Sequence, residues 1–133
     1  MTHATVDSLV ERYDMQPHPE GGFYTETYRS DLQIPESSLS DSYDGPRDAG
    51  TSILYLLPAD ARSESPPVRS DELWLYQGGR PLTLDIGDEP DSDHPSVTSH
   101  TVGTTPHAQP QVLVPGGQWQ SASPVSDADA PDA

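Results

Sequence analysis

The sequence contains no cysteine and no lysine, and it is poor in apolar residues. Without cysteine, the chain has neither disulfides nor thiolate metal sites. Hydrophobic residues make up 32% of its 133 positions, and no apolar run is long enough to span a bilayer. No signal peptide is recognisable at the first residues, so we expect a cytoplasmic protein. A chain of this length predicts one domain with a single core.

The charge is strongly one-sided. The chain contains six arginines and 22 acidic residues, which gives it a net charge of −16. This balance argues against nucleic-acid phosphates and anionic membranes as partners. The acidic residues are scattered, as is typical of proteins from salt-loving organisms, in which screening makes dense surface charge tolerable. We interpret the acidity as adaptation to solvent; the alternative is a dedicated cation-binding surface.

The local patterns predict one helix followed by short strands. Residues 5–14 carry apolar side chains at helical spacing, with Thr5 as the cap. Residues 31–50 and 58–67 are polar and predict loops. The predicted strands are residues 23–29, 51–57, 73–77, 81–86, 97–102, 111–114 and 118–122. This arrangement predicts an all-β sandwich or barrel.

Two of the predicted strand assignments are more specific. Residues 51–57 are apolar enough for a central strand that is buried on both faces. Residues 73–77 and 81–86 predict a hairpin through the glycines at 78 and 79. We expect the domain to cover residues 1–122 and residues 123–133 to form a disordered acidic tail.

The stretch PHPEGGFYTETYRS, residues 17–30, combines a corner with a two-faced strand. Gly21 and Gly22 permit positive φ or a close approach of another backbone. Alternation places Tyr24, Glu26 and Tyr28 on one face. That face either belongs to an exposed edge strand or lines a cavity, and a buried Glu26 would then need a partner.

Four segments together resemble the uncharacterised "cupin 5" family. They are PHPEGGFYTETYRS, TSILYLL, SDELWLY with residues 78–84, and PQVLVPGGQWQ. The resemblance implies a double-stranded β-helix, a jelly-roll barrel with a short N-terminal helix, and commonly a homodimer. The first strand is also similar to that of the RmlC-like nucleotide-sugar 3,5-epimerases, which implies that Tyr24 and Glu26 lie inside the barrel.

The sequence departs from the family pattern where metal ligands are expected. The usual His-Arg pair is replaced by Pro66 and Pro67, and the histidine after Trp74 is replaced by Leu75. None of the five histidines forms a His-x-His pair, and only His18 lies in a matching motif. We therefore expect a degenerate metal site, no cofactor and no epimerase base of the usual kind.

The family's last two strands have no counterpart in residues 123–133. Three explanations remain open: a dimer partner covers the resulting sheet edge, the N-terminal segment covers it, or the chain is a truncated member of the family.

Glu26 is the candidate catalytic residue, because a strand-borne carboxylate can transfer protons; the alternative is an ion pair with Arg29 or Arg69. Asp71 and Glu72 must face opposite ways, and we expect Glu72 to point inward with Trp74 and Tyr76. The candidate ligand-binding residues are His18, Tyr24, Tyr28, Glu72, Trp74, Tyr76, Gln111, Trp119 and Gln120.

These residues predict a pocket for a small polar molecule, such as a sugar or a nucleotide sugar. Two alternatives remain. One is an isomerase, epimerase or lyase that acts without a tightly held metal, and the other is a barrel that has lost its activity. Ordinary core packing of the aromatics and anchoring of the corner by His18 would explain the same residues without a ligand.

Overall fold

The computed structural model describes residues 5–40, 43 and 45–126. Within them the secondary structure is one α-helix, one 3-10 turn (Glu36–Ser38) and eleven strands. The elements are α1 (Val6–Tyr13), β1 (Gln16–Pro17), β2 (Phe23–Arg29), β3 (Gln33–Ile34), β4 (Arg47–Asp48), β5 (Thr51–Leu56), β6 (Ser63–Ser65), β7 (Glu72–Leu75), β8 (Leu82–Gly87), β9 (Val97–Val102), β10 (Gln111–Val114) and β11 (Trp119–Pro124). All named strand pairs are antiparallel. The predicted all-β class with one short N-terminal helix is confirmed.

The described residues divide into two compact units. The first contains those of residues 1–19 and 23–56, and the second contains residues 20–22 together with those of residues 57–133. The first unit holds a three-stranded sheet of order β1-β2-β5 and the small pair β3-β4. The second holds a four-stranded sheet of order β6-β11-β8-β9 and the pair β10-β7.

Helix α1 begins and ends where the sequence predicts, to within one residue. The Thr5 hydroxyl accepts a hydrogen bond from the Ser8 backbone N–H over 3.1 Å, and the Ser8 hydroxyl accepts from the Thr5 N–H over 2.9 Å. These two bonds satisfy donors that the first helical turn leaves unpaired. Asp14, in the left-handed conformation with φ 51°, terminates the helix.

Strand β5 is not the central strand that its apolar composition predicts. It lies at an edge of its sheet, and β2 is its only strand partner among the described residues. Its N-terminal half is exposed, and Ile53 retains 43% of its accessible surface. The prediction of a strand buried on both faces was wrong, because an apolar run does not specify how many neighbours a strand has.

The predicted hairpin between residues 73–77 and 81–86 was also wrong. Strand β7 pairs with β10, whereas β8 pairs with β9 and β11. Gly78 and Gly79 do form a turn, with φ 154° and 85°. Glycines indicate that the chain changes direction, but they do not specify the partner of the strand that follows.

The core of the second unit lies between its two groups of strands. It consists of six apolar residues from strands β8, β9, β10 and β11, namely Leu84, Ile86, Val102, Val112, Val114 and Ala122. Partly buried Trp74 and Tyr76 pack against this cluster. The side chains of Trp74 and Tyr76 therefore lie at the edge of this apolar core.

Three glycines of the second unit, Gly21, Gly87 and Gly116, lie too close to another stretch of backbone to carry a side chain. A Cβ on Gly21, whose φ is 110°, would lie 2.3 Å from the carbonyl oxygen of Arg62. A Cβ on Gly116 would lie 2.3 Å from the carbonyl oxygen of Arg69. The close approach predicted for the Gly21-Gly22 pair is confirmed.

Strand β11 continues through Pro124, two residues beyond the predicted end of the domain. Residues 127–133 of the predicted tail lie outside the described residues. No helix among the described residues is long and apolar enough to cross a membrane.

Candidate functional site

Strand β7 presents its polar and aromatic side chains on one face. Glu72, Trp74 and Tyr76 are half-buried, whereas Leu73 and Leu75 between them are exposed. Opposite Glu72 and Trp74 in strand β10 lie Val114 and Val112, which are 1% and 5% exposed. The inward orientation predicted for Glu72, Trp74 and Tyr76 agrees with this alternation of burial.

Strand β11 brings Gln120 to the same place. Gln120, which is 3% exposed, donates its side-chain N–H to a Glu72 carboxylate oxygen over 3.0 Å. Its carbonyl oxygen accepts the indole N–H of Trp74 over 2.8 Å. One amide therefore joins the two β7 residues to β11. Both distances are ordinary for N–H···O hydrogen bonds.

The three residues differ in what they can offer a ligand. The single donor of Trp74 is used by Gln120, and the Gln120 amide is buried. Glu72 is half-buried and uses one carboxylate oxygen, Oε2, for Gln120. An ionised carboxylate has about four lone-pair positions, so Glu72 can still accept hydrogen bonds. Gln120 and Trp74 hold the carboxylate, and Glu72 is the group available for binding.

Other predicted residues of the second unit lie elsewhere. The Tyr76 hydroxyl donates to the carbonyl oxygen of Gly79 over 2.6 Å, so it helps to hold the glycine turn. Gln111 is exposed and lies opposite Leu75, on the outer face of the β7-β10 pair. Trp119 precedes Gln120 on β11 and therefore faces the other side of the sheet. The structure thus joins Glu72, Trp74 and Gln120 but does not join Gln111 or Trp119 to them.

In the first unit, His18 packs against two tyrosines. Its ring centroid lies 4.9 Å from that of Tyr24, edge to face, and 5.1 Å from that of Tyr55. Tyr24 and Tyr55 are directly opposite each other in strands β2 and β5. Gln16 donates its side-chain N–H to the Tyr24 hydroxyl over 3.2 Å. This arrangement suits the role of His18 as an anchor of the corner.

Glu26 and Tyr28 are exposed, although the resemblance implied that Glu26 lies inside the barrel and alternation placed Tyr28 on the same face. Tyr28 retains 57% of its accessible surface. The second half of β2, from Glu26 to Arg29, is exposed on both faces. A β-bulge also lies there: Glu26 pairs with Ile53 and Tyr28 with Ser52, which leaves Thr27 as an extra residue. A bulge interrupts the two-residue period, so alternation cannot be extended across it.

Glu26 forms the ion pair that was the alternative to a catalytic role. Its carboxylate lies 2.6 Å from the Arg29 guanidinium, which also pairs with Asp48. The hydrogen bonds that Arg29 donates, first to Glu26 and then to Asp48, raise the pKa of Arg29 above its ordinary value. Because the pKa is raised, the Arg29 guanidinium stays charged at all ordinary pH values.

The sequence did not indicate two buried serines that lie next to Gln120. Ser63 and Ser65 in strand β6 are 6% and 5% exposed, and Ser65 is the direct partner of Gln120 in β11. The segment Ser-Glu-Ser carries no strand propensity or apolar alternation that could have predicted it.

Asp71 was predicted to face away from Glu72, and its carboxylate accepts the Gly116 backbone N–H over 2.8 Å.

No group of three or more His, Cys, Asp or Glu side chains suited to holding a metal occurs among residues 5–40, 43 and 45–126. Two histidines do share a cavity of about 270 Å³, which is lined by Ser99, His100, Thr101, His107 and Gln109. The Thr98 hydroxyl lies 3.2 Å from Nε2 of His100 and donates to the carbonyl oxygen of Ile86.

The chain belongs to an uncharacterised cupin family, because the family model described as "Cupin superfamily (DUF985)" matches residues 7–130. The predicted resemblance is therefore confirmed. No curated protein is significantly similar to the chain.

Solved structures share this fold. One is a hypothetical protein from Leishmania major, 29% identical, with a TM-score of 0.79; the match covers 98% of this chain and 76% of that one. Another is a crystal structure of a Shewanella oneidensis protein, 26% identical, with a TM-score of 0.77 and coverages of 94% and 72%. The cupin fold expected from the sequence is thus supported by the family and by structure.

Proposed function

We propose that this cupin-family protein binds a small polar molecule through Glu72, with a sugar as the ligand class. The hydrogen bond from buried Gln120 to the Glu72 carboxylate is the observation that carries the proposal. A carboxylate held in one orientation can accept hydrogen bonds from neighbouring hydroxyl groups without reorganising. The ring of Trp74 is half-buried, packs against the core and is bonded to the same Gln120, and we propose that its remaining apolar surface contacts the carbon face of a sugar.

The charge favours an uncharged sugar over a nucleotide sugar. The chain carries a net charge of −16, and the group that we propose for binding is itself an anion. A diphosphate would be repelled both by the field of the whole protein and by Glu72. A neutral polyol carries no charge and is not repelled.

The remaining predicted ligand residues contribute less to this proposal. His18 and Tyr24 stay candidates for a second contact region in the first unit. Tyr28 and Gln111 are exposed, and Trp119 lies on the other face of β11, so we leave these three out of the sugar site.

The alternative, an isomerase, epimerase or lyase without a tightly held metal, requires a general base at the sugar. The candidate base Glu26 is engaged by Arg29 on an exposed strand. Binding without chemistry therefore accounts better for the arrangement of side chains.

A ligand titration in high salt tests the proposal. We expect neutral hexoses and deoxyhexoses to raise the melting temperature more than a nucleotide-diphosphate sugar does. Glu72→Gln should weaken sugar binding by roughly tenfold or more, since hydrogen bonds to charged groups are worth about 1.5–3 kcal/mol. Glu36→Gln, in the exposed 3-10 turn, serves as the control and should bind normally. Equal affinities of the two variants would exclude Glu72 as the binding group.

We also propose that the protein forms a homodimer through the outer face of the β7-β10 pair, which we call the leucine face. It consists of Leu73, Leu75, Gln111 and Leu113; the three leucines are 55%, 48% and 52% exposed, and Leu73 and Leu113 are directly opposite each other. The face carries no charge in a chain of net charge −16, so two copies can meet there with little repulsion. The residues outside the described part contain no large apolar side chain other than Met1.

Analytical ultracentrifugation tests the dimer. The double variant Leu73→Ser/Leu113→Ser should sediment as a monomer, whereas Leu32→Ser, which alters a leucine that is 69% exposed elsewhere, should remain a dimer. A double variant that still dimerises would contradict the proposed interface.

A further inference from the structure

We propose that the cavity between strand β9 and the loop that follows it binds a divalent transition-metal ion of the class that imidazole prefers, such as Zn²⁺. The cavity has a volume of about 270 Å³ and is lined by Ser99, His100, Thr101, His107 and Gln109. Imidazole is the commonest metal ligand among protein side chains, and two of these five residues supply it. None of the five belongs to the proposed sugar site, and none stands where the family pattern has its usual histidines, at Pro66 and Leu75.

The cavity lies along the open edge of β9. This strand ends the four-stranded sheet, so that within the described part of the chain β8 is its only strand partner. Successive side chains of a strand point to opposite faces, so Ser99 and Thr101 lie on one face and His100 on the other. A cavity lined by all three therefore lies at the edge, which is the one place common to both faces.

The loop after β9 carries His107 back to this edge. Gln109, just beyond His107, donates its backbone N–H to the Thr101 carbonyl over 2.9 Å. Within the loop, the Ala108 N–H donates to the Thr105 carbonyl over 2.9 Å and closes a turn that contains His107. Backbone bonds thus hold the second imidazole beside the strand that carries the first, at the wall of the same cavity.

His100 already has one ring nitrogen in place. The residue is half-buried, and its Nε2 lies 3.2 Å from the Thr98 hydroxyl, which donates to the Ile86 carbonyl over 3.3 Å. Histidines that bind metal ions commonly hold their other ring nitrogen in a hydrogen bond, which fixes the orientation of the ring. Nδ1 is therefore the ligating atom of His100. His107 is exposed, so its ring can turn towards an ion that enters from solvent.

The charge around the cavity favours a cation. None of the six arginines of the chain lines it, and the chain as a whole carries a net charge of −16. The half-buried carboxylate of Asp85 accepts a hydrogen bond from the Ser99 hydroxyl over 2.5 Å. A negative charge therefore lies behind one wall of the cavity. An anionic ligand such as phosphate would be repelled there.

The lining selects an imidazole-binding ion over magnesium or calcium. Those two ions take oxygen ligands, chiefly carboxylates, and no carboxylate lines the cavity. No group of three or more His, Cys, Asp or Glu side chains suited to a metal occurs within residues 5–40, 43 and 45–126. The site is therefore a two-histidine one, in which water and the polar oxygens of the cavity complete the coordination.

Nuclear magnetic resonance of the histidine rings tests this inference directly. Zinc chloride at one equivalent should shift the signals of His100 and His107 together, in a saturable manner, and leave those of His18 and His94 in place. His18 packs against two tyrosines of the first unit, and His94 is exposed in the loop before β9. Magnesium chloride at the same ionic strength should shift none of the four.

A pair of matched variants provides the second measurement. In a calorimetric titration, His107→Asn should weaken zinc binding at least tenfold, because loss of a contact that merely orients a ligand already costs about 10–100-fold. His94→Asn removes an exposed histidine outside the cavity and should bind zinc as the native protein does. Both positions are exposed, so we expect both variants to fold.

Three results would overturn the inference. The first is an equal loss of zinc binding in His94→Asn and His107→Asn. The second is a zinc-induced shift of one cavity histidine without the other, and the third is a magnesium titration that reproduces the zinc-induced shifts.

Discussion

Gln120 donates a hydrogen bond to Glu72 over 3.0 Å, although the two residues are 48 positions apart in the sequence. The bond crosses from β11 to β7, two strands that belong to different sheets of the second unit. The same amide accepts the Trp74 N–H. A single buried side chain thus orients the carboxylate that we propose for binding and stabilises the contact between two strands.

Replacing Gln120 by leucine should therefore destabilise the protein. The Trp74 N–H would lose its partner, and an unmade buried hydrogen bond costs about 1–3 kcal/mol. Urea unfolding followed by circular dichroism measures the change. Gln77→Leu, at an exposed position, is the matched control and should lie within about 0.5 kcal/mol of the native protein. Identical midpoints for the two variants would show that the network adds no stability.

Gly21→Ala should cost more than Gly79→Ala, although both glycines have positive φ. A Cβ at position 79 meets nothing within 4 Å, so the expected cost there is only the left-handed backbone penalty of about 1–2 kcal/mol. At position 21 the Cβ also collides with the carbonyl of Arg62. Thermal unfolding of both variants measures the difference, and a smaller loss at position 21 would contradict the close approach.

Glu26→Gln should leave stability nearly unchanged. The Glu26 and Arg29 side chains are 42% and 56% exposed, and exposed ion pairs contribute little. Asp48→Asn should have the larger effect, because the Asp48 side chain is only 20% exposed. Urea midpoints in about 0.1 M and about 1 M salt compare the two variants. A strong loss with Glu26→Gln alone would indicate that Glu26 is buried in the protein in solution.

We expect the melting temperature to rise with potassium chloride. With a net charge of −16, the folded chain repels itself, and the screening length falls from about 10 Å at 0.1 M salt to about 3 Å at 1 M. Near pH 4, where ordinary carboxylates are about half protonated, the salt effect should be smaller. A melting temperature independent of salt at neutral pH would contradict our interpretation of the acidity as adaptation to a salt-rich solvent.

Local sequence patterns correctly predicted the elements whose conformation is set by residues that are close in the sequence. The helix cap at Thr5, the strands β9 and β10 and the inward face of β7 follow from capping chemistry and alternation. The close approach at Gly21 also followed, because only glycine permits it. Each of these features is specified within a few neighbouring residues.

Features that depend on distant partners were not predictable from such patterns. The pairing of β7 with β10, the edge position of β5 and the bond between Glu72 and Gln120 are set by how far-separated strands meet. Strand β6 is held by its pairing with β11 although its own residues favour no strand. Tertiary contacts decide such cases against intrinsic propensity.

The bulge in β2 makes the first sheet sensitive to the length of its chain. Thr27 is the extra residue, and its hydroxyl donates to the Ser52 carbonyl over 3.1 Å. Residues before and after Thr27 are therefore out of phase with one another by one position. Deletion of Thr27 would remove the bulge and leave Tyr28 opposite Ser52 and Arg29 opposite Thr51, whereas a deletion at any other position of β2 would turn the side chains that follow it to the other face. The strand can thus accept the loss of this one residue more readily than the loss of any of its neighbours.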